Sequence, residues 1–269
     1  MDKIEVPAEA TVPYDAIAAG VVGLRISVVN VFAVAGESGW TLIDAGLNGS
    51  AGRLKSWAAE HFGDAAPNAI VLTHAHFDHV GAIDAWNVPV YAHVEELPYV
   101  TGERLYPPPD PTVGGGLMAR MASAYPRELV DLGDRARPLA ADGSVPGMPE
   151  WRWIHTPGHT AGHVSLFRDA DRALIAGDAF CTTKQESLLA VATQRPELHG
   201  PPAYFTTDWD AARESVRRLA ALEPAFIAPG HGQPMAGTET ARALHELADR
   251  FDEVARPGQG RYIEHPRRS

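Results

Sequence analysis

Four residues able to ligate a metal stand within one six-residue run, His74, His76, Asp78 and His79, directly after the apolar stretch Ala69, Ile70, Val71, Leu72. Imidazole nitrogen suits zinc, iron and related divalent cations, and a carboxylate adds charge and a harder oxygen donor. In extended backbone alternate side chains share a side, so His74, His76 and Asp78 set out together and a turn is enough to bring His79 round. The chain has 12 histidines in 269 residues. A polar surface loop that gathered three of them and an aspartate by accident is a poor account of that density.

The same pattern recurs along the chain: an apolar strand, a turn of small residues, then a His or Asp. It ends at His74, at His159 after Thr156-Pro157-Gly158, at Asp178 after Gly177, and at His231 after Pro229-Gly230. Glycine lets the backbone curl back at three of these turns. Donors at the ends of several strands can meet on one face of a layered fold. His61, His93, His155, His199, His245 and His265 lie outside the pattern and read as ordinary surface or packed histidines.

The elements that must position these residues follow from periodicity. Apolar residues over 21–35, a turn at 36–39 and a return over 40–43 predict a hairpin or meander ending in Asp44, Ala45 and Gly46. Ser50 is placed to cap a helix through residue 62, with Leu54, Trp57, Ala58 and His61 on one face. A buried strand at 69–72, a helix over 80–86 and a strand over 88–92 follow, Pro89 marking an edge or a strand start. Strands are expected over 151–155, 164–167, 173–176 and 225–228. Helices are expected over 208–222, with Trp209, Ala212, Val216, Leu219 and Ala220 inward, and over 238–254. This order predicts a layered α/β fold, and no linker or tandem repeat divides it, so one domain is expected over 1–269. Within it, residues 95–133 break the pattern: Pro107, Pro108, Pro109 and Pro111 precede Gly114, Gly115 and Gly116, then an apolar helical stripe of Leu117, Met118, Met121 and Tyr125. That composition suits an insertion folded over a site as a lid, or a surface excursion.

The formal charge of -11 argues against a nucleic-acid partner, whose phosphates need Lys and Arg; Arg267 and Arg268 read as a solvated tail. Cys181 is alone, so no intramolecular disulfide is expected. No apolar run is long enough for a bilayer and the first residues lack a signal-like apolar core, so a cytoplasmic protein with no membrane partner is expected.

The run His-Ala-His-Phe-Asp-His at 74–79, then Thr-Pro-Gly-His-Thr at 156–160, Ala-Gly-Asp-Ala at 176–179 and Pro-Gly-His-Gly at 229–232, resembles the metallo-β-lactamase-fold superfamily of dinuclear metallohydrolases. The resemblance implies an αββα sandwich, two mixed sheets packed face to face with helices outside. It implies two divalent metal ions, zinc first with iron or manganese as alternatives. One would be held by His74, His76 and His159, the other by Asp78, His79 and His231, with Asp178 bridging; His163 would stand behind the ligands. A bridging hydroxide, its pKa lowered to about 7, would attack a carbonyl carbon. Asp78 would orient it and pass its proton to the leaving group, and Asp44 would hold a ligand imidazole in one tautomer.

Departures from known branches narrow the reaction. Asp178 stands where class B β-lactamases typically have a cysteine ligand, which disfavours a β-lactamase. Lactonases often carry a tyrosine shortly after the bridging aspartate, where this chain has Phe180, Cys181 and Thr182. Glyoxalase II enzymes carry a longer helical C-terminal region than this chain has. The expectation is hydrolysis of a small-molecule ester, lactone or thioester, with Lys184 and Tyr204 as candidate substrate contacts, Cys181 as a packed filler and a homodimer open to it. The alternative is a persulfide dioxygenase-like oxidoreductase holding one iron on His74, His159 and Asp178.

Overall fold

Strands that are apolar on both faces have to be covered on both sides, and this decides the layering. The computed structural model describes residues 4–127 and 130–264; the tail with Arg267 and Arg268 lies outside them. After a two-residue strand β1 (Ile4–Glu5), a six-stranded sheet is built from β2 (Val21–Ile26), β3 (Val29–Gly36), β4 (Gly39–Ile43), β5 (Ala69–Val71), β6 (Val90–Ala92) and β7 (Ala136–Pro138), in that spatial order. Its first three strands are antiparallel and the rest add in parallel. The second sheet uses β8 (Trp151–His155), β9 (Val164–Arg168), β10 (Ala173–Gly177), β12 (Phe226–Pro229) and β13 (Met235–Ala236), in the order β13-β12-β10-β9-β8. It is also mixed, with β10 and β12 parallel. Strand β11 (Glu197–Leu198) pairs back onto β1.

Three apolar layers fill the spaces. Phe32, Val34, Ile43 and Val71 of one sheet meet Val164, Leu166, Ile175 and Ala228 of the other, which makes the inter-sheet core. Alternate residues of the same strands face outward: Val31, Ala33, Leu42 and Ile70 pack under Leu54, Trp57 and Ala58 of α1 (Ala51–Phe62). On the far side Phe167, Leu174, Ala176 and Ile227 pack under Trp209, Val216 and Leu219 of α6 (Trp209–Ala220) and Leu244 and Leu247 of α7 (Thr238–Asp249). This is the αββα sandwich that the motifs imply. No helix among the described residues is long and apolar enough to cross a membrane.

Local departures from the sequence reading have local causes. The run 21–35 is two strands, because Ser27 takes a positive φ of 59° and lets Ile26 pair with Val29 across a two-residue turn. The Ser50 hydroxyl donates to the Leu47 carbonyl at 2.6 Å and does not cap α1, and His61 is exposed. Of the two positions open to Pro89 the structure takes the strand start, since it directly precedes β6, which is internal. The Asp208 carboxylate does cap α6, accepting from Ala211 N–H at 2.9 Å. The last expected helix breaks at Arg250, leaving α7 and a separate turn α8 (Phe251–Val254). Among the described residues of 95–133 the helices are short, α3 (Leu97–Val100), α4 (Leu117–Arg120) and a 3-10 turn at Ala122–Ala124; Met118 and Tyr125 turn inward, while Leu117 and Met121 are exposed. Helix α5 (Leu188–Thr193) follows β10.

A clamp ties the two sheets together beside the second-half ligands. Asn30, 1% exposed, donates through Nδ2 to the carbonyls of Pro229 at 2.8 Å and Gly232 at 2.7 Å, and its Oδ1 accepts from the Tyr14 hydroxyl at 3.0 Å. Replacing Asn30 by Ala removes the side-chain donor to Pro229 and leaves the Gly232 carbonyl with the Tyr14 hydroxyl at 3.1 Å, so we expect a loss of about 1–3 kcal/mol in stability. The measurement is the urea midpoint; an unchanged midpoint would show that the clamp contributes nothing.

Candidate metal centre

Strand β5 delivers Thr73, His74, Ala75 and His76 at its end, and the chain then coils at once into α2 (Phe77–Val80). The helix expected at 80–86 therefore starts earlier, and Asp78 and His79 sit on helical backbone; only a short turn at Ile83–Ala85 remains of the expected position. From the other sheet come His159 after β8, Asp178 after β10 and His231 after β12. Gly230 has to be glycine, because a Cβ there would run into the Asp178 carboxylate and the His79 ring. At Gly158 a φ of 136° and the close passage of α6 at Ala212 impose the same requirement.

What stands behind each ring fixes its proton. Thr73 Oγ1 donates to Asp44 Oδ2 at 2.8 Å, so it accepts from His74 Nδ1 at 3.1 Å. Thr206 Oγ1 donates to the Pro202 carbonyl at 2.9 Å, so it accepts from His159 Nδ1 at 3.2 Å. A carboxylate and a carbonyl can only accept, so His79 Nδ1 donates to Asp44 Oδ2 at 2.8 Å and His231 Nδ1 donates to the Val28 carbonyl at 2.7 Å. In each of these rings Nε2 is left to face the centre, and the tautomer is set by the protein. Asp44 holds His79 from a left-handed backbone, φ 59°, which aspartate tolerates better than most residues. His163 is different: its Nε2 accepts the Asp178 backbone N–H at 2.9 Å and its Nδ1 is 2.8 Å from Thr156 Oγ1, so it has no lone pair left for a cation.

The structure brings all seven sequence-identified residues together as three overlapping groups: His74, His76 and His159; His74, His79 and Asp178; Asp78, His79 and His231. Within each group the ligating atoms lie within 4.8 Å of one another. His76 Nδ1 is 2.9 Å from His159 Nε2. Asp178 reaches both ends of the set, with Oδ2 3.5 Å from His159 Nε2 and 3.1 Å from His231 Nε2, and Oδ1 3.6 Å from His79 Nε2. Asp78 Oδ2 is 3.5 Å from His231 Nε2.

Electrostatics divides the set in two. Burial, reinforced by neighbouring imidazoles, pushes His74 and His159 well below the usual histidine range and His76 down to about 3. Burial acts the same way on His79 and His231 but loses to carboxylates: Asp44, Asp178 and Asp78 hold His79 well above its ordinary value, and Asp178 raises His231. Burial also opposes ionisation of Asp178, yet His231 and His79 hold it well below the usual carboxylate range. Burial thus favours neutral rings in one group, while in the other the carboxylates favour the protonated rings, whose protons a cation would displace.

These residues fit a bound cation. His74 Nε2, His79 Nε2 and Asp178 Oδ1 are buried without a hydrogen-bond partner. Such atoms cost about 1–3 kcal/mol each when left alone. Nitrogen and carboxylate donors suit zinc, iron or manganese. The described residues hold a fourth group, His93, Glu95 and His155, in which one nitrogen of each ring is already engaged: His93 Nδ1 accepts from Glu95 N–H at 3.3 Å and His155 Nε2 donates to the Ala161 carbonyl at 2.7 Å. Cys181 is fully buried and burial pushes its thiol well above the usual range, which suits a filler. Lys184 faces a separate cleft with Val113, His199 and Ala203, whereas Tyr204 lines the cavity at the centre. Thr73, Thr206 and Gln185 were not found from sequence; only Thr73, beside His74, carried any local signal.

Comparison with known proteins decides the family. The sequence model described as "Metallo-beta-lactamase superfamily" matches residues 24–231, a span holding every donor above. The chain belongs to the metallo-β-lactamase superfamily. A Bacillus subtilis relative, "Probable metallo-hydrolase YflN", is 47% identical over 245 residues, 88% of this chain and 93% of that one. "Hydroxyacylglutathione hydrolase" of Ectopseudomonas mendocina is 31% identical over 130 residues, 48% of this chain and 39% of its own length. Among solved structures, a metallo-β-lactamase family protein of Thermus thermophilus, TTHA1429, shares the fold at TM-score 0.61 and 20% identity, covering 88% of this chain and 81% of that one. TTHA1623 in a di-iron-bound form superimposes at TM-score 0.54 and 27% identity, covering 82% and 96%. For this superfamily member, Asp178→Ala should lower the metal content of purified protein, read by elemental analysis, while the fold survives by circular dichroism. Full occupancy in that variant would remove Asp178 from the centre.

Proposed function

We propose that the protein is a two-metal hydrolase that cleaves an ester, lactone or thioester of a small molecule. The observation that carries the reading is the convergence of seven buried donors, with Asp178 reaching both ends of the set, beside a cavity of about 180 Å³ that His76, Asp78, Asp178 and His231 line. His74, His76 and His159 would hold one cation, Asp78, His79 and His231 the other, with Asp178 shared; bound cations supply Lewis acidity toward a carbonyl oxygen and lower the pKa of water. Asp78, lining the cavity, takes the proton of the water that adds to the carbonyl carbon and returns it to the departing oxygen or sulfur, closing the balance of hydrolysis. An oxygenase on His74, His159 and Asp178 alone leaves His79 and His231 without a role.

The rest of the cavity wall bears on the substrate. Leu47, Phe77, Met118, Tyr125, Tyr204 and Phe205 make it apolar, and no Lys or Arg among the described residues lines it. Anionic groups are recognised by Arg and Lys, so this wall favours an uncharged acyl compound over a glutathione conjugate. Gln185 is 2% exposed, lines the same cavity, and its Nε2 has no hydrogen-bond partner. We assign it to a substrate oxygen. In the same reading residues 95–133, which bring Met118 and Tyr125 to the cavity, act as a lid on a single-domain enzyme.

The test is a panel of neutral lactones, aryl esters and thioesters offered to metal-quantified protein. We expect two metals per chain, turnover that chelators abolish, and equal rates with and without O2. One iron per chain with O2 consumption would overturn the reading. Gln185→Leu should lower kcat/KM about 2- to 10-fold, the worth of one neutral hydrogen bond, with metal content unchanged; an unaltered kcat/KM would remove Gln185 from the substrate.

A further inference from the structure

Glu96 is a fully buried carboxylate outside the donor set, and each of its oxygens serves a different ligand loop. Oε2 accepts from Ala75 N–H at 3.1 Å, between His74 and His76, and from the Tyr106 hydroxyl. Oε1 accepts from Thr160 Oγ1 at 2.7 Å and Gly162 N–H at 3.0 Å, in the turn that follows His159. The loops it joins belong to different sheets, and β6, which precedes Glu96, contributes none of the donors. A Cβ at Gly162 would collide with Glu96, so the turn is shaped to admit the carboxylate. The Tyr106 hydroxyl also accepts from Ala75 N–H at 2.9 Å, and its ring covers His76 at 4.4 Å between centroids and stacks on Tyr99 at 3.9 Å.

Desolvating a carboxylate is expensive unless donors compensate it, and four do so here. A hydrophobic residue would fill the space at lower cost. What it would not do is hold two loops from opposite sheets at one separation, the condition for His76 Nδ1 and His159 Nε2 to stand 2.9 Å apart. We infer that Glu96 is a positioning residue for the His74, His76 and His159 group, fixing the spacing between the loop of His74 and His76 and the loop of His159. The inference rests on the reading that these three rings share one cation. It predicts an effect confined to one end of the centre, since no Glu96 contact reaches Asp78, His79 or His231.

The experiment is a Co2+ titration of chelator-stripped, full-length protein, followed by visible absorption and calorimetry, with His76→Ala and His231→Ala identifying which binding step belongs to which group. Glu96→Ala should weaken the His76-dependent step about 10- to 100-fold and leave the His231-dependent step within twofold. Glu96→Gln keeps an acceptor toward only one loop, so it should fall between wild type and Glu96→Ala. Tyr106→Phe removes one of the four donors but keeps the carboxylate between the two loops, so it should weaken the same step less than Glu96→Ala does, and it supplies the comparison if Glu96→Ala does not fold. Unchanged affinities in a folded Glu96 variant, or both steps weakening together with a lowered melting temperature, would overturn the positioning role. Wild-type protein that takes up no Co2+ would overturn the two-metal reading itself and this inference with it.

Discussion

Lone pairs of like character, taken out of water and held a few ångströms apart, are what the fold has to sustain. His76 Nδ1 and His159 Nε2 sit 2.9 Å apart, and His74 Nε2 faces the same space with no partner. Apart from a hydrogen bond between those two nitrogens, the set does nothing to favour that arrangement in the absence of a cation. It is imposed from outside, by strand ends that cannot move without opening the inter-sheet core and by acceptors that hold each ring by its far nitrogen. Thr73, Thr206, Asp44 and the Val28 carbonyl are therefore as much part of the centre as the donors they orient.

The two ends meet this constraint differently. Around His74, His76 and His159 burial strips the protons, so the rings are ready donors and mutual repulsion is small. Around His79 and His231 the carboxylates of Asp44, Asp78 and Asp178 oppose the effect of burial and favour the protonated rings, so attraction contributes to the holding. Asp178 belongs to both regimes: His231 and His79 ionise it, while its other neighbour, His159, is neutral.

The donors and the sandwich were legible in the sequence because both are written in local patterns. His74 to His79 is a dense run, the turns before His159, Asp178 and His231 carry glycine, and buried strands read as apolar stretches. The boundaries that failed are those where a side chain chose a partner that its neighbours did not announce. Ser50 bonds back to Leu47, Ser27 makes a tight turn without glycine or asparagine, and α2 begins at Phe77 because the ligand run itself coils. Nor could spacing reveal Asn30, Glu96 or Thr206, whose partners lie far off in the chain; Asn30 and Gly232 are 202 positions apart.

That last separation bears on how the centre comes into being. The first sheet brings His74, His76, Asp78 and His79, the second His159, Asp178 and His231, and the link through Asn30 closes only when both sheets are present. Contacts so distant along the chain form late, after the entropy of a long loop has been overcome. Each half offers only part of the coordination sphere, so the full set of seven donors exists only once both sheets have met.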